Sequence, residues 1–399
     1  MDTIALSQRL IRTPSPVRDG NEVAVANAIQ DALVEAGLPR ASVIAREPER
    51  PNLILTLDFG SGGRHLVLSG HIDTKPVGEA RWTHDPYEAD IDGDRLYGLG
   101  SADMKAAVAS MIVAAKRLST VDVPTAGKLS LILTADEEMG SEFGARHLVQ
   151  GLDLDADGLI IGEPSGIHAD YDSLHLVSRG VGRFVVTAHA KQGHSSLSNL
   201  LGFRNAGVDL AGAITALAQD PQLDAPPNLD SLRDWESTLN PAMRYGGGYG
   251  YGVLPEWMSA RVELRALPNL VPDDVLAQLR DKMDRYSAAS GASISVEFDD
   301  YPLHWIKGSI VLGSDPLVDA VQRASEAAFG AKLPTSVFPG MTDSSWFSEA
   351  FPALPCLPAL GPGLLRYAHG ADEWVSIKAV HQTVDLYEAL AREFCAPLP

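Results

Sequence analysis

A chain of 399 residues is too long for one ordinary domain, so two are expected, and one can be inserted into the other. Hydrophobic content of 45% and charged content of 21% fit a globular protein with a large core, while a formal net charge of −20 argues against nucleic acid or an anionic membrane surface as partner. The two cysteines, Cys356 and Cys395, lie in no CxxC pair, which argues against a disulfide framework or a thiolate zinc site and leaves buried thiols.

In chain order, MDTIALSQRLIRTPSP lacks the long apolar core of a signal peptide, so the expected compartment is the cytoplasm, and no stretch is long enough to span a membrane. ALSQRLIR has helical spacing and stops before Thr13-Pro14. Glu22 to Glu35 reads as an amphipathic helix closed by Gly37. Strands are expected at Ser42–Ala45, Asn52–Leu57 and His65–Leu68, then an apolar, alanine-rich helix over Met104–Leu118. A strand at Lys128–Thr134, a short helix at Glu142–Val149 and a strand at Gly158–Ile161 follow. This alternation predicts an α/β, mostly parallel mixed sheet with helices on both faces.

The pattern then changes. Val177 to Lys191 alternates polar and apolar residues, as in an exposed antiparallel strand pair. Next come a helix at Arg204–Ala218, a proline-rich loop at Asp220–Asn228, a loop in GGGYGYG (Gly246–Gly252), and strands at Trp257–Ala266 and Ser293–Phe298 flanking a helix at Pro272–Ser290. Residues 178–301 therefore read as an inserted, smaller α+β domain of β-α-β-β-α-β type. Residues 1–177 and 302–399 read as a discontinuous α/β domain, ending in a helix, a strand at Ala353–Leu357 and a helix at Ile377–Phe394.

Titratable residues follow the apolar runs of the first domain. His71 and Asp73 follow HLVLSG, Glu137 and Glu138 follow KLSLILTAD, Glu163 follows DGLIIG, and His369 stands in RYAHGADEW. Ligands of open α/β sheets sit outside the carboxyl ends of the strands. His71 and Asp73 share one face of an extended segment, where Asp73 suits a metal or the imidazole beside it. Asp103, in LYGLGSADMKAA, could cap the helix that follows or bind a cation. Glu137 and Glu138 repel unless a cation offsets them, and in extended chain they point opposite ways, so one can bind metal while the other acts as a general base. Glu163 alone reads as a strand stop and His369 as a loop histidine. Together, His, Asp and Glu without cysteine suit first-row divalent ions, zinc first, with cobalt or manganese as substitutes. Their number exceeds the three protein ligands of one catalytic zinc, which points to two ions sharing a carboxylate.

SGHIDTKPVG, LYGLGSADMKAA, LTADEEMGS, IIGEPSG, GHSS and AHGADEWV together resemble the co-catalytic metallopeptidase family of aminoacylase, acetylornithine deacetylase, succinyl-diaminopimelate desuccinylase and glutamate carboxypeptidase. The resemblance spans nearly the whole chain in the family's order. It implies that His71, Asp103 and Glu163 hold one metal and Asp103, Glu138 and His369 the other. Glu137 is then the general base and Asp73 the residue orienting His71. It also implies a cis peptide at Asp103–Met104, and a homodimer through the inserted lid domain in which His194 helps stabilise the oxyanion in a neighbouring subunit's site. Arg265 is implied to bind a substrate carboxylate.

Two departures concern the substrate. Gly252, in Tyr251-Gly252-Val253-Leu254-Pro255, stands where relatives often carry asparagine. GMTDSSWF places Ser345 where arginine is usual, after Gly340 and before Trp346. With Tyr249 and Tyr251 near, Gly340 and Trp346 are expected at the substrate, and the substrate is expected to be more apolar or aromatic than that of a desuccinylase. The reading is thus a hydrolase of an N-acyl-amino acid or similar small amide carrying a carboxylate. A dipeptidase or carboxypeptidase on short peptides, and a silent metal-binding homologue, are the rivals.

Overall fold

The computed structural model describes residues 1–120, 126–224, 235–301 and 303–396. It divides into two compact units, Met1–Ser178 with Ser309–Pro399, and Arg179–Gly308. The end of the proline-rich segment, from residue 225, lies outside the described residues.

The first unit is built on a six-stranded sheet. From one edge its strands are Ser42–Ile44, Asn52–Gly60, Gly127–Thr134, His65–His71, Gly158–Ile161 and Cys356–Leu357. The first two pairings are antiparallel and the remaining three parallel. Strands covered on both faces carry continuous apolar runs, and from Leu66 through His71 every residue is buried. The alanine-rich helix expected from Met104 starts at Ala106 and runs to Thr120, with eleven of its fifteen residues buried. It packs against helices Thr3–Ile11 and Ile377–Phe394, and the last also packs against Pro316–Phe329. Asp315 caps that fourth helix by accepting from Leu317 N–H at 2.8 Å, and Ser376 caps Ile377–Phe394. Cys356 and Cys395 are buried and free. Among the described residues, no helix is long and apolar enough to cross a membrane.

Two glycines set the spacing at the strand ends. A Cβ on Gly70 would lie 2.4 Å from Met104 Cε, and one on Gly162 would lie 2.4 Å from Met111 Cε and 2.9 Å from Met104 Cε. Both approaches are closer than packed carbons allow, so hydrogen at these positions lets the Met104 segment settle onto the strands immediately before His71 and Glu163.

The second unit has an antiparallel sheet ordered Thr238–Gly247, Trp257–Ala266, Gly180–His189 and Ser293–Phe298. Trp305–Ile306 also pairs with Gly180–His189, which carries this unit on to Gly308. Helices Ala206–Gln219 and Pro272–Ser290 share a core with Phe184, Val186, Val262 and Leu264. The alternation in Val177–Lys191 is therefore not a strand pair. Leu174–Ser178 pairs in parallel with Thr335–Phe338 in the first unit, and Gly180–His189 is one long strand with one face under helices. The strand Thr238–Gly247 was not legible. It contains Pro241 and an irregular register between Asn240 and Arg244, features an edge strand tolerates, and it takes in the first two glycines of the expected loop.

Candidate metal centre

Three adjacent parallel strands deliver the acids to one end of the sheet. His71 is in register with Thr134, and Ser69 with Ile161, so Asp136–Glu138 and Glu163 follow their strands at the same level as His71 and Asp73. Asp103 arrives from beyond the sheet. Its backbone is non-helical, it is joined to Met104 by a cis peptide, and the regular helix begins only at Ala106. Its carboxylate caps nothing. Oδ1 lies 2.8 Å from His71 Nε2, and Oδ2 lies 3.1 Å from His369 Nε2.

His369 Nε2 is also 3.1 Å from Glu138 Oε2, and His71 Nε2 is 3.6 Å from Glu163 Oε1. Donor atoms of His71, Asp103 and Glu138 lie within 4.8 Å of one another, as do those of His71, Glu137 and Glu163. Glu137 and Glu138 do meet different neighbours, but not because the chain is extended. They open a tight turn, Glu137–Met139, entered through Asp136 at φ +62°.

Asp73 stands differently from expectation. His71 Nδ1 donates to the main-chain oxygen of Asp73 at 2.9 Å, while the Asp73 carboxylate is 3.7 Å from that nitrogen. The carboxylate instead accepts from the N–H groups of Glu137 and Glu138, both at 3.1 Å. Asp73 therefore holds the acidic turn as well as the imidazole, the turn by its side chain and the ring by its backbone.

This hydrogen bond tests the fit of a metal. With its proton on Nδ1, a neutral His71 aims the Nε2 lone pair at the carboxylates of Asp103 and Glu163. Acceptors so opposed need a cation between them, a proton or a metal ion. The titration behaviour shows the same demand. Burial opposes the charge on His71, yet Asp103, Glu163 and Asp73 raise its pKa well above the usual imidazole range. Burial likewise opposes charge on His369, but Asp103 and Glu138 push it up to about 10. Burial also works against ionised Asp103, but hydrogen bonds from His369 and His71 hold it far below the ordinary carboxylate range. Glu137 and Glu163 are raised well above it, first by burial and then by neighbouring acids, and Asp73 is pushed up to about 6, chiefly by burial. The residues fit a pair of cations around Asp103.

Three residues were not singled out in the sequence. The buried Glu373 carboxylate accepts from the N–H groups of Gly100, Ala102 and Asp103 at 3.1, 2.8 and 3.0 Å, fixing the loop that presents Asp103. Asp343 accepts from Thr134 Oγ1 and Ser141 Oγ, one on each side of the Glu137–Glu138 turn. Lys75 reaches Glu138 Oε2 at 2.9 Å. The only signal for Glu373 was its place four residues after His369.

The remaining candidates are divided between the first unit and the second. Trp346 is 8% exposed, with the Arg146 guanidinium 5.6 Å from its ring centroid, and Ser345 is buried. A Cβ on Gly340 would sit 3.0 Å from Phe338. In the second unit, His194 pairs with Val253 and is exposed, and its Nδ1 accepts from the N–H and hydroxyl of Ser196, which leaves the proton on Nε2. Gly252, at φ +86°, accepts from Ser195 N–H through its carbonyl. Arg265 Nε donates to Glu263 at 3.0 Å, and Tyr251 is fully exposed.

Carboxylates and imidazoles gathered around one shared aspartate, with the half-buried Glu137 beside them, fit a metal-dependent hydrolase. The chain belongs to peptidase family M20/M25/M40, whose profile matches residues 67–393. It is 28% identical over 399 residues to a succinyl-diaminopimelate desuccinylase of Methylocella silvestris, covering 98% of this chain and 97% of that protein. It is 29% identical over 412 residues to one of Rhizorhabdus wittichii, with 99% of both covered. Among solved structures, an M20 family metallo-carboxypeptidase from Sulfolobus solfataricus superimposes with a TM-score of 0.77 at 18% identity, covering 99% of each chain. A dinuclear metal-binding M20 peptidase from Bacillus subtilis gives 0.69 at 15% identity, covering 99% of this chain and 98% of that one. These likenesses establish the fold and the class, a metallohydrolase of this family.

Proposed function

We propose that this enzyme hydrolyses the amide bond of an N-acyl-amino acid or a related small amide with two divalent ions, zinc first and cobalt or manganese as substitutes. The observation that carries the reading is Asp103, whose two oxygens each face one imidazole, His71 at 2.8 Å and His369 at 3.1 Å. His71, Asp103 and Glu163 would hold one ion, and Asp103, Glu138 and His369 the other. When bound, such a pair polarises the carbonyl and acidifies water. Glu137 takes the proton of the attacking water and returns it to the leaving amine. Asp73, through the N–H groups of Glu137 and Glu138, keeps that carboxylate in place. His194, with its proton on Nε2, offers the donor for the oxyanion, and Arg265 a planar pair of donors for a substrate carboxylate.

The full-length relatives named as desuccinylases support the deacylase reading. Gly252 and Ser345, which lack the amide and guanidinium expected there, favour an acyl group more apolar than succinyl. Gly340 and Trp346 are the candidates beside it. Dimerisation through the second unit is supported by the edge strand Thr238–Gly247, with Met243 and Tyr245 exposed, and sedimentation velocity tests it. The deciding experiment gives metal-stripped protein zinc, cobalt or manganese and offers N-acetyl-, N-succinyl- and N-benzoyl-amino acids beside dipeptides. Preference for dipeptides would make the enzyme a peptidase, and no hydrolysis with any metal would refute the proposal.

A further inference from the structure

Among the described residues, the three carboxylates proposed as ligands, Asp103, Glu138 and Glu163, have one ion-pair partner that is not an imidazole, and it stands on one side only. Lys75, two residues after Asp73, places Nζ 2.9 Å from Glu138 Oε2 and also donates to the Glu138 main-chain oxygen. Its side chain is one-third exposed, so the ammonium reaches solvent while it neutralises a carboxylate that is itself nearly buried. Glu163 has no such partner. Its ion pair among the described residues is with His71, at 3.6 Å. An ammonium carries three donors and no acceptor, so Lys75 can hold Glu138 but offers nothing to a metal ion.

We propose that Lys75 is a built-in competitor for one of the two metal positions, so that the Glu138–His369 position binds its ion more weakly than the Glu163–His71 position. This rests on the ligand assignment above. An ion entering beside Glu138 must take Oε2 from Lys75 or share it with a fixed positive charge in a region that water and salt screen poorly. Lys75 then keeps the Glu138 carbonyl and its solvent contact, so the side chain moves aside at modest cost. On the other side, among the described residues, no ammonium stands against Glu163. The device would let the enzyme keep one ion firmly and exchange the second with the metal concentration around it.

The test is a calorimetric titration of Zn²⁺ and Co²⁺ into metal-stripped wild type, Lys75→Met, Lys75→Arg and Glu138→Gln proteins, with the visible spectrum of Co²⁺ followed in parallel. Wild type should bind two ions with dissociation constants at least tenfold apart. Lys75→Met, which keeps the stem and removes the charge, should tighten the weaker step at least tenfold and move the tighter step less than threefold. Lys75→Arg should keep the wild-type gap, and circular dichroism melts of the metal-free proteins establish that each variant folds. A gap unchanged in Lys75→Met, or both steps shifting together, would overturn the role of Lys75 while leaving the ligand assignment intact. A Glu138→Gln protein that still binds both ions as wild type does would overturn the ligand assignment, and the proposal with it.

Discussion

The two sheets of this protein treat polar residues in opposite ways. In the first unit, His71, Asp73, Glu138 and Glu163 are all at least nine-tenths buried at or just past the ends of strands, and Asp103, brought to them by the segment before a helix, is equally buried. In the second, the sheet has one face under two helices and the other open, and its candidates His194 and Arg265 remain accessible to solvent. Burial makes each charge of the first group depend on its neighbours, as the raised Glu163 and the lowered Asp103 show. The difference teaches that burial ties geometry to protonation in the first unit, while surface ion pairs of the second are screened by water and salt.

The sharpest way to break that comparison is to remove the half-buried glutamate proposed as the general base. Glu137→Gln should lower kcat by about 10²- to 10⁴-fold while metal content stays at the wild-type level, as loss of a general base does. Steady-state kinetics with metal analysis decide it, and activity within a few-fold of wild type sinks the assignment of Glu137.

Coupling should also appear away from the chemistry. Glu22 is fully buried, pairs with Arg50, and has one oxygen without a partner. Burial, then the charge of Asp73, raises its pKa from 4.5 to about 7. A carboxyl whose folded pKa lies above its unfolded value costs stability as pH rises from the unfolded value, and the cost levels off above the folded one. By linkage it reaches on the order of 3 kcal/mol. Denaturant melts should therefore show Glu22→Gln gaining on wild type between pH 5 and pH 8. A difference that stays constant across that range would show that Glu22 does not carry the cost.

Glu373→Gln tests the loop that presents Asp103. Glutamine keeps one acceptor oxygen for three N–H donors, and metal affinity should fall by roughly 10- to 100-fold, the range for groups that orient ligands. Competition with a chelator measures it, and unchanged affinity would mean that the loop holds Asp103 without Glu373. The smallest effect belongs to the exposed surface. Arg285 and Asp281 form an ion pair on an open helix face of the second unit. Arg285→Ala should shift stability by less than about 0.5 kcal/mol, and a larger loss in thermal melts would show that exposure does not decouple charges there.

Much of this was legible residue by residue. Apolar runs ending in His71, Glu137–Glu138 and Glu163 marked both the strands and the site, because buried parallel strands must be apolar along their length and ligands gather where they end. Thr238–Gly247 was missed because an edge strand can carry proline and irregular register without losing its place. Glu373 and Asp343 were missed because each works by accepting hydrogen bonds from segments far away in the chain, and nothing in HGADEW or GMTDSS announces the partner.

The sequence by itself determined the kinds of donor, the strands that carry them and the class of chemistry, since apolar periodicity and residue type are local properties. Only the tertiary structure decided that Asp73 holds the acidic turn by its carboxylate and His71 by its backbone, and that Glu373 fixes the loop before Asp103. It also placed a lysine against one half of the acid cluster and none against the other. Those are matters of distance between segments, set by how the Met104 loop packs onto Gly70 and Gly162, and no local pattern encodes them.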